Sequence, residues 1–451
     1  MRLQSPWAPR LSENGNNPAN RLVEALSEDI LSGQLVGGDR LPAHRDLAWK
    51  LNLGVGTVTK AYAMLERRGL ARSVKGSGTF VAVFESRKGP AIDFSVNRLP
   101  VMLSDRLLAG TLSTISRKID SAHVNLYPPP AGHDEHRRLL ARWLESLGIQ
   151  AAPKRIILTG SGQQALWLAF DILCGGRGLI ITERLSYSGA IALARYRGHP
   201  MRSVDIDAEG LVPDDLDRVL TEEENSGRRR LVYLTPTLHN PTTISMGEAR
   251  RKEIVDVCRR RNVPIVEDGV YTLGASPDNP PLIALAADRV FHVTSLSKSL
   301  SPGLRLGVLV LPSGWVERAE EALRALPLSS SPVDYALLEE WSTSGVMETV
   351  RDTLRAEARK RAKLARSFFD NSIIMTNDNA FHAWLPMPHW EAEAFETAAA
   401  ALGVVVTQPD AVRADRNDEA TGIRLCLGGP GMEDLAAGLT LLSRLKISDP
   451  S

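Results

Sequence analysis

Apolar residues recur at helical spacing three times within about the first 70 positions. The first apolar stripe consists of Leu22, Val23, Leu26, Ile30 and Leu31. The three helices are predicted over residues 20–32, 43–51 and 56–68. Gly33 and Gly69 are expected to end the first and third helices, because glycine favours helix C-termini. Two β-rich runs, residues 70–74 and 79–83, flank the turn 75–78 and predict a hairpin, so this region is predicted to form an α+β winged helix-turn-helix.

From about residue 91 onward, short β-rich runs alternate with amphipathic helical segments. The β-rich runs cover residues 155–159, 178–182, 230–235, 263–267, 290–294 and 308–311. Strands separated by helices are typical of a mostly parallel α/β sheet. The polar, interrupted segment 85–90 reads as the start of a linker. We therefore predict a head over residues 1–86, a linker over 87–96 and a body over 97–447.

The composition sets wide limits on the class of protein. The chain has 451 residues, enough for two or three domains, with 43% hydrophobic and 24% charged residues. Its three cysteines, Cys174, Cys258 and Cys426, are few, odd in number and far apart, which disfavours a disulfide framework. No apolar run approaches the length of a membrane span, and the N-terminus lacks a signal-peptide pattern. We therefore expect a cytoplasmic protein without membrane partners.

The charge is distributed unevenly between head and body, although the net charge is only +1. Residues 1–90 contain 13 Lys and Arg against 8 Asp and Glu, whereas the remainder contains 41 against 45. A basic head on a slightly acidic body indicates that only the head meets a polyanion such as DNA.

Lys298 lies among hydroxyl side chains, in a run that continues through a Pro-Gly turn to Arg305. This cluster suits an aldehyde cofactor that also carries a phosphate. The lysine forms the imine, while the guanidinium and hydroxyls such as those of Ser295 and Ser297 hold the phosphate.

Two junctions further along the predicted sheet suit the same cofactor. Ser161, Gly162 and Gln163 lie where a strand leads into a helix, and free amides at a helix N-terminus bind anions. Asp268 directly follows a buried-looking strand, where its carboxylate can pair with a protonated pyridine nitrogen. Taken alone, the first junction is more typical of a tight turn and the second of a structural carboxylate, so their assignment to a cofactor depends on the rest of the chain.

The head resembles the GntR family of transcriptional regulators in the stretch Leu35-Val36-Gly37-Gly38-Asp39-Arg40-Leu41-Pro42 and in the wing Gly76-Ser77-Gly78-Thr79-Phe80-Val81. The resemblance implies that the third helix enters the major groove and that the wing tip approaches the minor groove. The DNA contacts that it implies are Arg45, Thr57, Thr59, Lys60 and Gly78. Many family members carry an arginine before the recognition-helix threonine, whereas this chain has Leu53-Gly54-Val55-Gly56 there, so base preference cannot be transferred.

The body resembles fold-type-I pyridoxal-phosphate (PLP) aminotransferases, which have a large mostly parallel sheet and a smaller α+β subdomain. The resemblance places the large subdomain at roughly residues 126–325. It implies the remaining site residues: Tyr187 stacking on the ring, Asn240 and Tyr271 at the ring hydroxyl, Tyr127 at the neighbouring subunit's phosphate, and Arg424 at a substrate carboxylate. One departure is Pro241-Thr242-Thr243, where aminotransferases usually have Pro-Thr-Gly, and it predicts an altered turn.

A GntR-type head joined to an aminotransferase-like body resembles the MocR subfamily of GntR regulators across essentially the whole chain. The resemblance implies a head-to-tail homodimer on an operator with two half-sites, regulated by a small amino compound through aldimine chemistry at PLP. Two alternatives remain open from the residues. One is an active aminotransferase with an appended DNA-binding domain, and the other is a sensor of PLP itself.

Overall fold

The computed structural model describes the chain in two units, one containing residues 1–91 and the other residues 92–400 and 404–451. Within these units, the described residues are 7, 11, 17–31, 34–35, 39–67, 70–74, 78–81, 91–325, 331–369, 372–415, 418 and 420–445. Several predicted features lie outside them: the helix-ending glycines 33 and 69, the wing tip 75–77 and the linker residues 87–90.

The head consists of three helices and a two-stranded antiparallel sheet. Its elements are α1 (Pro18–Leu31), α2 (His44–Lys50), α3 (Val55–Arg67), β1 (Ala71–Val74) and β2 (Gly78–Val81). The apolar faces predicted from the sequence meet in one core, which includes the fully buried Leu22, Leu26 and Val58. The Tyr62 hydroxyl donates to the carbonyl oxygen of Pro42 over 2.8 Å and joins α3 to the turn before α2.

The body begins with a short strand and three helices, then alternates strands and helices. These elements are β3 (Ile92–Asp93), α4 (Asp105–Ile115), α5 (Ser121–Asn125), α6 (Asp134–Glu145), β4 (Ile156–Thr159), α7 (Gly162–Cys174), β5 (Gly178–Glu183), α8 (Ser188–Tyr196), β6 (Met201–Val204), β7 (Ile206–Asp207), β8 (Gly210–Leu211), α9 (Pro213–Glu222), β9 (Arg229–Leu234), α10 (Glu248–Arg260), β10 (Ile265–Asp268), α11 (Leu282–Leu285), β11 (Val290–Ser295), β12 (Gly307–Val310) and α12 (Val316–Ala325).

Seven of these strands form the central sheet, in the order β4-β12-β11-β10-β9-β5-β6. All neighbouring pairs are parallel except those of β12, which runs antiparallel to both β11 and β4. Successive residues such as Ile180 and Ile181 belong to different apolar clusters because side chains alternate between the two faces of a sheet. Both faces are therefore covered, which explains the continuous apolar runs in the sequence.

The C-terminal part of the body forms a smaller α+β layer. Its elements are α13 (Pro332–Thr343), α14 (Val346–Phe369), β13 (His382–Pro388), α15 (His389–Ala401), β14 (Val404–Val405), β15 (Ala420–Cys426) and α16 (Met432–Leu442). β13 pairs antiparallel with β15, and β14 pairs in parallel with β3. Residues 92–96, which the sequence analysis assigns to the linker, therefore belong to the body, and Phe94 is fully buried in this layer.

None of the helices in the described part of the chain combines the length and the apolar composition that crossing a lipid bilayer requires.

Candidate cofactor and effector site

A cavity of about 450 Å³ lies in the body where several strands of the central sheet end. Twelve of the thirteen cofactor and effector residues predicted from the sequence line it: Ser161, Gly162, Gln163, Tyr187, Asn240, Asp268, Tyr271, Ser295, Ser297, Lys298, Arg305 and Arg424. They come from segments spread over more than 260 positions. Parallel strands bring them together because the carboxyl ends of such strands meet at one edge.

Tyr127 is the exception, since it does not line this cavity and its side chain is fully exposed. The role predicted for it concerns a second subunit, and it stays a prediction.

One end of the cavity presents the N-terminus of α7. The Ser161 side chain caps this helix by accepting from the Gln164 amide over 3.1 Å, and the first-turn amides that follow have no intrahelical partner. A Cβ added to Gly162 would lie 3.3 Å from Val270 Cγ1 and 3.4 Å from Ser295 Cβ. The missing side chain therefore keeps this end open for an anion.

Gly307, which starts β12, is a glycine of the lysine-containing run that the packing requires. A Cβ added here would lie 2.2 Å from the carbonyl carbon of Ser161, so no larger residue fits without moving the backbone. This close approach packs the segment that follows Lys298 directly against the loop that starts α7.

Asp268 ends β10 and is buried, with 4% of its surface exposed. The Tyr233 hydroxyl donates to its Oδ2 over 2.9 Å and the Val270 amide donates to Oδ1 over 3.3 Å. Burial raises the pKa of Asp268 to about 6, although these hydrogen bonds act in the opposite direction. A carboxylate held in this way is stabilised by a cationic partner in the cavity.

Lys298 reaches the same space from the short turn after β11. Its Nζ donates to the backbone carbonyl of Asn97. Burial lowers the pKa of Lys298, and the nearby Arg424 guanidinium lowers it further. A larger fraction of the amine is therefore neutral and nucleophilic, as formation of an imine with an aldehyde requires.

A hydrogen-bond network holds the Tyr271 ring beside the lysine. The side-chain amides of Asn240 and Asn97 donate to the Tyr271 hydroxyl over 2.9 and 3.2 Å. Because this oxygen accepts two hydrogen bonds from protein, its proton is available to a group in the cavity.

Arg424, on β15, closes the cavity from the smaller layer and is 5% exposed. Its Nη1 donates to Asn240 Oδ1 over 2.7 Å, and its Nη2 donates to the Ser95 carbonyl over 2.9 Å. Its Nε is buried without a hydrogen-bond partner. A guanidinium has five N–H donors, so these contacts leave donors for a ligand, among them the unpaired Nε.

At the Pro241-Thr242-Thr243 departure the backbone adopts a conformation that glycine favours, and the altered turn stays a prediction. Thr243 has a φ of +65°, in the left-handed region that glycine favours. Its Oγ1 accepts from the Thr376 amide over 3.1 Å, and the Thr376 hydroxyl donates to its carbonyl. These two bonds hold the β-branched residue in an unfavourable conformation.

Sequence reasoning missed several residues of this site, and three of them make hydrogen bonds to its predicted residues. Ser95 and Asn97 accept from Arg424 and Lys298, and Tyr233 orients Asp268. Tyr233 gave only a weak signal, its place in a buried strand, because both faces of the sheet are covered. Ser95 and Asn97 gave no such signal, since their segment contains only two strand residues.

The residues predicted to contact DNA lie on the surface of the head. Arg45 on α2, Thr59 and Lys60 on α3 and Gly78 at the start of β2 are exposed, and Thr57 is half-buried. The sequence analysis did not single out Arg40, but its guanidinium would meet a Cβ on Gly78 at 3.0 Å. Gly78 also has a φ of +115°, so a glycine is required here.

The cavity residues fit an aldehyde cofactor with a ring nitrogen and a phosphate, on three independent observations. The α7 N-terminus with Gly162 provides an open anion site. Asp268 is a buried carboxylate whose pKa is raised by burial, as expected for a site completed by a cation. Lys298 is a buried amine with a lowered pKa in the same cavity.

Comparison with known families agrees with both parts of this geometry. Residues 90–439 match the model of the aminotransferase class I and II family. Residues 18–81 match the model of the gntR family of bacterial regulatory proteins. The predicted fold class, a winged helix-turn-helix joined to a fold-type-I aminotransferase-like domain, is confirmed.

Similar proteins carry both parts. The HTH-type transcriptional regulator YdeF of Bacillus subtilis is 27% identical over 97% of this chain and 96% of its own. The vitamin B6 salvage pathway transcriptional repressor PtsJ of Salmonella typhimurium is 29% identical over 84% of this chain and 88% of its own. Among solved structures, an archaeal alanine:glyoxylate aminotransferase superposes with a TM-score of 0.72 at 22% identity, covering 85% of this chain and 93% of its own.

Proposed function

Since this chain belongs to the aminotransferase class I and II family and carries a gntR-family domain at its N-terminus, we propose that its body senses a small amino compound and that its head converts this signal into a change in DNA binding. The arrangement is the MocR type. YdeF and PtsJ, which share it over most of their length, are transcriptional regulators by name.

The buried Nε of Arg424, which lacks a partner, carries the sensing proposal. A buried donor without a partner costs about 1–3 kcal/mol, and a ligand carboxylate or sulfonate removes that cost. Nε and a neighbouring Nη proton form the planar fork that binds such groups in a bidentate manner. The ligand class is therefore a small molecule with an amine at one end and an acidic group at the other.

The cofactor is pyridoxal 5′-phosphate, which supplies an aldehyde that exchanges amines and a ring that withdraws electrons. The protein residues supply the rest of the site. We propose that Ser161, Gly162, Gln163, Ser295, Ser297 and Arg305 hold the phosphate, together with Tyr127 from a second subunit. Asp268 keeps the ring nitrogen protonated, Tyr187 packs on the ring, and Asn240 and Tyr271 bind the ring hydroxyl.

An effector changes DNA binding only as far as its affinity differs between two arrangements of the protein. With the cofactor bound, Lys298 would be the amine that the effector's amine displaces, and Arg424 would hold the acidic end. We propose that the protein acts as a homodimer on an operator with two half-sites. The conformation of the two bodies then sets the distance between the two heads, and this distance decides how well they fit the half-sites.

The test is the visible absorption spectrum of the purified protein during addition of amino acids, γ-amino acids and taurine. A reversible shift with one compound, together with changed affinity for the promoter DNA of its own operon, supports the proposal. Both responses are expected to be lost in Arg424→Ala and strongly weakened in Arg424→Lys, which keeps the charge without the fork. Arg202→Ala, which removes surface ion pairs with Glu222 and Glu223, is the matched control. If Arg424→Ala responds as the wild type does, the sensing proposal is wrong.

Two other functions remain testable in the same experiment. Lys298, Asp268 and Arg424 line one cavity, which favours residual aminotransferase activity, and keto acid formed over many turnovers would establish it. The name of PtsJ favours PLP itself as the signal. In that case the cofactor-free and cofactor-loaded proteins bind DNA differently, and Arg424→Ala has no effect on that difference.

A further inference from the structure

A second cluster of chemically active side chains lies in the body, outside the cofactor cavity. His123 on α5 faces His133, which precedes the first residue of α6, and Glu135 and His136 in the first turn of α6. None of these four residues lines the cavity that contains Lys298. The Lys298 site therefore does not account for them.

The geometry of three of these side chains suits one metal ion. One donor atom from each of His123, His133 and Glu135 lies within 4.8 Å of the others. His123 Nε2 is 2.7 Å from Glu135 Oε1, and the two imidazole rings have centroids 4.3 Å apart. Ligand atoms bonded at about 2.0–2.2 Å to a tetrahedral ion lie about 3.4 Å apart, so small side-chain movements bring all three atoms into range.

The surroundings distinguish this cluster from histidines that are simply solvated. His133 Nε2 is buried without a hydrogen-bond partner, and so is His136 Nδ1. The His136 ring is stacked on Tyr335, with centroids 4.1 Å apart and an angle of 8° between the planes. Buried polar nitrogens are rarely left unpaired, because the loss of water is not compensated. An ion bound by His133 compensates for that loss directly.

We propose that His123, His133 and Glu135 form a site for a divalent ion of the zinc class, with the fourth position taken by water. Two imidazoles and one carboxylate are ligands that Zn²⁺ accepts, and three protein ligands with an open position are typical of its accessible sites. His136, packed between this cluster and Tyr335, positions the ligand rings rather than binding the ion.

An ion at this site would connect the two ends of a loop. His123 and His133 stand at the two ends of the segment 126–132, which carries Tyr127. An ion bound to both ends holds this exposed segment in one conformation. The proposal is independent of the sensing role of Arg424, since it concerns other residues and another ligand.

Cobalt and zinc titrations of the full-length, cofactor-loaded, tag-free protein test the proposal after treatment with a chelator. One Co²⁺ per chain is expected, with the visible absorption bands of nitrogen-bound cobalt, and Zn²⁺ is expected to displace it and raise the melting temperature. Affinity is expected to fall at least about tenfold in His133→Gln and in Glu135→Gln, because even outer residues of metal sites contribute factors of this size.

His389→Gln is the matched control, since His389 also contacts a carboxylate at 2.8 Å, that of Asp410, but has no second histidine beside it. Its affinity for Co²⁺ is expected to equal that of the wild type. Equal binding by His133→Gln and the wild type, or weakened binding by His389→Gln, would overturn the proposal, as would the absence of saturable binding. Glu135→Gln changes an exposed carboxylate, so it tests the site even if His133→Gln fails to fold.

Discussion

The two candidate sites differ in how their residues are held in place. In the body, Asp268, Asn240 and Arg424 are each at most 5% exposed and each has defined hydrogen-bond partners. In the head, Arg45 and Lys60 are exposed. Thr59 is exposed as well, and it bonds to the carbonyl of Val55 at 3.0 Å and to His44 Nδ1 on α2 at 3.2 Å.

This difference sets the expected size of mutational effects. A buried group cannot be replaced by water, so its loss removes several interactions at once and leaves partners unpaired. An exposed cation on the head is replaced by solvent and counterions, and its neighbours compensate in part. Substitutions in the body site are therefore expected to have large effects, and single substitutions in the head small ones.

Lys298→Ala is expected to have the largest effect, a complete loss of covalently attached cofactor. Lys298 is the one lysine among the residues that line the cavity in the described chain. Mass spectrometry after borohydride reduction measures the attachment directly. Lys252→Ala, which removes a surface ion pair with Glu248, is expected to retain the full mass increase of the wild type. A reducible adduct on Lys298→Ala would show that another amine holds the cofactor.

The next largest effect is on the pH dependence of folding stability. It comes from two buried glutamates whose pKa values are shifted in opposite directions. Burial raises the pKa of Glu183 from 4.5 to about 8, and Asp268 adds to the shift. Its Oε2 has no hydrogen-bond partner. Burial also acts on Glu267, but the charge and hydrogen bond of His292 outweigh it and lower the pKa. The same residue type at the ends of nearby strands is therefore stabilised in different protonation states.

Because the folded-state pKa of Glu183 is raised, its contribution to stability is present at low pH and is lost as the pH rises. The loss between about pH 5 and pH 9 is on the order of 4 kcal/mol. Urea unfolding across this range is expected to show a smaller fall in stability for Glu183→Gln than for the wild type. Glu267→Gln, the matched variant, is expected to be destabilised at neutral pH. An unchanged slope in Glu183→Gln would mean that this carboxyl does not titrate as described.

The sequence was sufficient to predict most of the body site because its residues follow strands in a recognisable order. Asp268 ends a buried strand and the Lys298 run begins at the end of the next, and the predicted and observed strand bounds differ by at most two residues. Ser95 and Asn97 were not predictable in the same way, because they contribute through backbone or long-range contacts from a segment whose partners, β14 and β15, lie more than 300 residues further along the chain. The unpaired Nε of Arg424 also depends on tertiary contacts that no local pattern encodes.

Asp268→Asn is expected to have an intermediate effect. The asparagine keeps an oxygen that accepts from the Tyr233 hydroxyl, but it removes the negative charge that we propose pairs with the protonated ring nitrogen. A hydrogen bond to a charged group contributes about 1.5–3 kcal/mol, so cofactor affinity is expected to fall roughly ten- to hundredfold. Equilibrium dialysis of PLP measures the change. Tyr233→Phe, which leaves the charge in place, is expected to lose less, and an equal loss in both variants would show that orientation matters more than charge.

Lys60→Ala in the head is expected to have the smallest effect, a few-fold weaker binding to promoter DNA. Lys60 is exposed on α3, and the proposed contact is to phosphate, so its loss is expected to reduce the slope of log affinity against log salt by about one. Titrations at several salt concentrations separate this change from a loss of folding, and Lys252→Ala in the body is the control. Because phosphate contacts act nearly independently, Lys60→Ala and Arg45→Ala are expected to weaken binding additively. Complete loss of binding in Lys60→Ala alone would mean that the head site is as cooperative as the buried site of the body, and that exposure is a poor guide to mutational effects in this protein.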